Sequence, residues 1–73
     1  MRPWTPEEVP VGGVMATKDE TVGVVVLGLY GNPSDRDKIA LADSDPITRE
    51  YALENYKWKW SHETEWKPCG VEE

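Results

Sequence analysis

The chain of 73 residues contains no phenylalanine, and only one cysteine and one histidine. A single cysteine, Cys69, excludes an internal disulfide framework. A small protein without disulfides fits a reducing compartment, so a cytoplasmic setting is expected. One histidine and one cysteine do not make a zinc or nucleophilic site unless they meet. His62 falls in an expected loop and Cys69 opposite about Lys57, so neither a metal centre nor a Cys-His pair is expected. No catalytic set stands out, and no cofactor is expected. Long apolar runs are absent too. The longest, residues 22–30, is too short to span a bilayer. The opening Met-Arg-Pro-Trp has no apolar segment of the kind a secretory leader needs. Basic residues are outnumbered 8 to 14 by acidic ones, for a net charge of −6. That balance repels a nucleic-acid backbone or an anionic membrane, so direct contact with either is not expected. The acid is densest over residues 34–54, where Arg36, Lys38 and Arg49 interrupt it. It reads as a solvated face rather than as a mimic of a phosphate backbone. "VPVGGV" lacks the Gly-Lys-Ser/Thr ending of a phosphate loop.

What is present instead is tryptophan. Three of the four lie in "YKWKWSHETEW". Tyr56, Trp58 and Trp60 alternate with Lys57, Lys59 and Ser61, the period of a strand. His62, Glu63 and Thr64 read as a three-residue hairpin loop that sets Trp60 opposite Trp66. Pro68 places the second strand at an edge. Without phenylalanine the core must take its aromatic volume from Trp and Tyr, so at least two of Tyr56, Trp58 and Trp60 are expected to face inward. The remaining tryptophans suit a contact surface, because Trp and Tyr dominate binding hot spots. With lysines beside them they also suit a planar anionic ligand. The candidate binding residues are Trp4, Lys57, Lys59, Trp60, Trp66 and Lys67.

The length allows one domain, 1–73, near the lower limit for a self-supporting core. Residues 1–8, with two prolines, read as an extended arm. Residues 9–30 hold two strands around a tight "KDET" turn, with Gly12 and Gly13 marking a bulge or bend. Residues 31–37 form a turn-rich loop. Residues 38–42 are a strand with Ile39 and Leu41 inward. Residues 46–54 are a helix capped by Ser44 or Asp45, with Pro46 at its first position and Ile47, Tyr51 and Leu53 on the buried side. Residues 56–70 are the hairpin. The fold class is α+β and β-rich: a small curved antiparallel sheet of about five strands with one short helix before the last hairpin. An SH3-like barrel is the nearest familiar shape. In residues 22–30 both strand faces are apolar, which predicts a central strand covered on both sides. So short a chain has little to build two covers with, and this points to a homo-oligomer.

The opening "WTPEEVPVG" and the close "YKWKWS…EWKPCGVEE" resemble a group of small uncharacterised proteins of tailed phages and prophages. The matching residues are Trp4, Val9, Pro10, Val11, Gly12, Tyr56, Trp58, Trp66, Pro68, Cys69 and Gly70. They lie at both ends and cover about half the chain. The turn "SHETEW" departs from the Asp-Gly turn expected of the group. The resemblance implies an accessory protein in the host bacterial cytoplasm, one that blocks a host defence protein or sequesters a small nucleotide immune signal. The rival expectations are a minor virion or assembly protein and, behind it, an enzyme built at a subunit interface.

Overall fold

The β-branched run at residues 24–26 builds the middle of the molecule. In the computed structural model, which describes residues 1–29 and 38–72, eight short strands and one helix follow each other. They are β1 (Arg2–Pro3), a 3-10 turn (Pro6–Glu8), β2 (Val14–Thr17), β3 (Val24–Leu29), β4 (Lys38–Leu41), β5 (Ile47–Thr48), α1 (Arg49–Asn55), β6 (Tyr56–Lys59), β7 (Lys67–Pro68) and β8 (Gly70–Val71). Six of the strands form one antiparallel sheet in the order β5-β4-β3-β2-β6-β7, and β1 pairs with β8 in a second, two-stranded sheet. The α+β, strand-rich architecture is therefore present. The larger sheet ends at β5 and β7, which do not pair with each other, so it does not close into a barrel. Tyr30 and the loop expected at residues 31–37 lie outside the described residues.

The inner face of this sheet carries the core. Met15 and Ile39 are fully buried, Val26 is 1 % exposed and Leu41 5 %. Trp4, Val9, Ala52 and Cys69 complete the cluster, with Trp58 and Tyr56 packed against it. No polar or charged residue is buried among the described residues. At its outer face the sheet differs from expectation. β3 is central, between β2 and β4, yet Val25 and Leu27 stand 45 % and 61 % exposed. Among the described residues nothing covers them: the helix and the two-stranded sheet were both spent on the inner side. Leu27 also sits where the β3–β4 register slips between Val26 and Gly28, a bulge made possible by φ of +142° at Gly28.

The helix starts later than its capping signals predict. Ile47 and Thr48 are drawn into the sheet, pairing with Ile39 and Lys38. Thr48 then caps α1, its hydroxyl accepting from the Tyr51 N–H at 3.1 Å. With the start moved, Ala52 becomes the buried residue and Tyr51 turns out to 52 % exposure.

The first eight residues are not a free arm. Arg2 and Pro3 pair with Val71 and Gly70. The Arg2 guanidinium grips the Glu8 carboxylate through both terminal nitrogens, at 2.7 and 3.0 Å, and the Thr5 N–H adds a third bond at 2.9 Å. The Arg2 hydrogen bonds, helped by Thr5, hold the Glu8 carboxyl down to about 2. A carboxylate whose pKa is depressed by folding stabilises the fold above its ordinary value of 4.5 and loses that contribution as pH falls towards 2. Glu8→Gln is therefore expected to melt below the native protein at pH 7. The gap should close between about pH 4.5 and 2 in parallel thermal melts. A gap that stays constant over that range would show that the pair contributes nothing.

No helix among the described residues is long and apolar enough to cross a membrane.

Candidate functional site

The β6–β7 hairpin decides where the expected contact residues point. Its register sets Trp58 opposite Lys67 and Lys57 opposite Pro68. One step on, Trp66 falls opposite Lys59 rather than Trp60. The expected Trp60–Trp66 pair is thus displaced by one residue, and in a strand a slip of one sends every side chain to the other face. The cause is the connection, which is longer than three residues. Glu63 folds back on Trp60: its carboxylate accepts the Trp60 N–H at 2.9 Å and its own N–H donates to the Trp60 carbonyl at 3.0 Å. Lys67, four residues on, pairs with the same carboxylate at 2.9 Å. The Lys67 ammonium and the Trp60 N–H lower the Glu63 carboxyl below its usual range.

The six residues consequently divide. Trp58, Trp60 and Lys67 share the inner side. There Trp60 meets Trp58 edge-on at 5.2 Å, Trp58 meets Trp4 edge-on at 5.9 Å, and the Lys67 ammonium lies 4.1 Å from the Trp58 ring centre. Trp4, expected as a surface contact, is 3 % exposed and forms the buried end of this aromatic chain. Arg49 donates from Nη1 to the Trp4 carbonyl and fixes its backbone. The Trp4 ring is therefore core volume, not contact surface.

Lys57, Lys59 and Trp66 share the outer side. The two ammonium groups stand 5.0 and 5.3 Å from the centre of the Trp66 ring, within cation–π range. Each also has a carbonyl partner: Lys57 donates to Lys18 at 3.3 Å and Lys59 to Glu63 at 2.7 Å. Trp66 reaches across the sheet, its Cη2 only 3.3 Å from where a Cβ on Gly23 would stand. Ala16, paired with Lys57 on the same face, is 4 % exposed. Beyond Trp66 the face is open. Val25 pairs with Val14, and Val14 with Lys59, so a row runs from the exposed apolar strand to the lysines. Val22, just ahead of β3, is 82 % exposed.

The outer face is thus half closed by a lysine-held tryptophan and half bare. Sequence reasoning found the apolar second face of β3 and the shortage of chain to cover it, and among the described residues Val25 and Leu27 do stand exposed.

Two hollows formed by described residues lie elsewhere. One, of about 400 Å³, is lined by Ser44, Asp45, Pro46, Ile47, Thr48, Tyr51 and Tyr56. The other, about 350 Å³, is at the hairpin tip between His62, Glu63, Thr64, Glu65 and Lys67. No group of three or more His, Cys, Asp or Glu side chains among the described residues is placed to hold a metal ion. Cys69 is fully buried, and burial pushes its thiol up to about 12, the setting of a structural rather than a reactive cysteine. No family model, curated protein or solved structure matches this chain.

Proposed function

We propose that this chain is a non-catalytic binding protein, a phage accessory factor that blocks a host defence protein through the outer face of its sheet. The observation behind this reading is the bare half of that face. Val25 and Leu27 expose apolar surface on the central strand, at the one place where a small fold can least spare it. Lys57, Lys59 and Trp66 border it, a composition suited to the rim and anchor of a protein interface. A second copy of the chain would cover the same surface, so self-association is part of the reading. The six-stranded sheet with one short helix supports an SH3-like scaffold only in an open form, unclosed between β5 and β7.

The sequestering of a nucleotide is the weaker alternative. Both lysines already have carbonyl partners, and their ammonium groups occupy the Trp66 ring that a base would stack on.

Leu27→Asp tests the proposal. The side chain is 61 % exposed, so the variant should fold and melt within a few degrees of the native protein. In bacteria carrying a defence system that the native protein overcomes, phage plating should fall to the level seen without it. Native mass spectrometry of the gently purified protein would give the subunit number and any bound mass. A folded Leu27→Asp protein that protects phage as well as the native one would sink the outer-face assignment. A bound nucleotide-sized mass would favour the alternative.

A further inference from the structure

The cleft beside α1 has a chemistry of its own. Thr48 caps the helix and Pro46 precedes β5, which leaves Tyr51 on the solvent side of the first turn. Tyr56, the residue after the helix, faces the same hollow. The two rings stand 6.1 Å apart at 54° and form an open V. Tyr51 is 52 % exposed, so its ring face is available to solvent. Among the lining residues Asp45 is the one charged side chain, and it is negative. Glu20 lies near enough to Tyr56 to act on its hydroxyl, which burial, with Tyr51 and Glu20 as lesser causes, holds in the neutral form beyond the ordinary tyrosine range. No cation is among the described lining residues. Arg49 turns its guanidinium to the Trp4 carbonyl, and Lys38, although it pairs with Thr48 across the sheet, is not among the lining residues.

We infer that this cleft is a second binding surface, and that it takes an arginine side chain from an extended, proline-containing segment of a partner protein. The two tyrosine faces offer cation–π stacking and Asp45 offers a carboxylate, a set that a planar guanidinium satisfies better than any neutral group. The volume, about 400 Å³, is at the small end for ligand sites and fits one long side chain with its neighbours. Pro46 and the tyrosines give an aromatic, apolar floor of the kind that extended proline-rich segments dock on. The net charge of −6 draws a basic segment towards the protein. This site is independent of the outer face: it lies on β5, α1 and the start of β6, and its residues are not those changed in Leu27→Asp.

The probe is a hexapeptide, acetyl-Pro-Pro-Arg-Pro-Pro-Arg-amide, titrated into nitrogen-15-labelled protein and followed by amide shifts. Its control replaces arginine with citrulline, which keeps the shape and removes the charge. The expected result is saturable shifts confined to residues 44–48, 51 and 56, weakened by salt and lost with the citrulline peptide. Tyr51→Ala and Asp45→Asn should each weaken binding by roughly two- to fivefold. Both side chains are exposed, so both variants should keep the native spectrum elsewhere. An equal response to the citrulline peptide, shifts centred on Trp66 and Val25 instead, or no shift at millimolar peptide would each overturn the proposal.

Discussion

Trp4→Ala is expected to lower the melting temperature by on the order of 20 °C and to leave a measurable unfolded fraction at 37 °C. Replacing a buried tryptophan by alanine costs about 3–5 kcal/mol. A domain of this length has roughly 4–11 kcal/mol in total. Trp4 is 3 % exposed, meets Trp58 edge-on at 5.9 Å, and shares its cluster with Val9, Ala52 and Cys69. Met15, Ile39 and Ala52 of the same cluster are fully buried, so the gap left by the ring opens inside the core. The buried thiol provides a direct reading. Cys69 should resist a thiol reagent in the native protein and react in Trp4→Ala in proportion to the unfolded population. Trp4→Phe, which keeps an aromatic ring, should fall between the two. A drop of less than about 5 °C for Trp4→Ala would mean that the ring is not packed where it is described.

Gly70→Ala should be nearly as damaging, although it adds one methyl group. A Cβ at Gly70 would stand 2.6 Å from the Arg2 carbonyl oxygen and 2.6 Å from Leu53 Cδ1. The leucine can move aside, but the carbonyl belongs to the paired strand β1. Relief therefore requires β1 and β8 to separate, which releases the strand that leads into Trp4. The cost expected for overpacking is about 1–3 kcal/mol, and part of the Trp4 burial goes with it. The distinguishing measurement is hydrogen exchange. The Arg2 and Val71 amides should lose protection in Gly70→Ala while those of β2 and β3 keep most of theirs. Protection lost uniformly would point to global destabilisation and against a local strap.

What could be read from the residue pattern was local. The β-branched run of β3 is set by neighbours in the chain, as is the inward pointing of Ile39 and Leu41, which are 0 % and 5 % exposed. What could not be read was settled at a distance or by one hydrogen bond. Trp4 looks like a surface anchor between two prolines until Arg2 and Pro3 are seen to pair with Val71 and Gly70. The helix start moved because Ile47 gains more by pairing with Ile39 than by entering a first turn. The hairpin register moved because the Glu63 carboxylate takes the Trp60 N–H and lengthens the connection. That one-residue slip parted the expected contact residues, leaving Lys57, Lys59 and Trp66 outside and Trp58, Trp60 and Lys67 inside. The cleft between Tyr51 and Tyr56 escaped notice because the residue pattern sets Tyr51 on the buried side of the helix, where Ala52 lies instead.

The pairing of β1 with β8 also bears on time. Arg2 meets Val71 across nearly the whole length of the chain. Closing so long a loop costs roughly 4 kcal/mol of chain entropy before any contact repays it. During synthesis, residue 4 is made early but has no finished site to enter until residues 70 and 71 have emerged. Until then the nascent chain carries Trp4 without its β8 neighbours. The step that pairs β1 with β8 joins parts of the described chain far apart in sequence, and contacts of that span slow folding. The vulnerable period is the one before that step, when a chaperone or a second nascent copy competes for the same apolar surface.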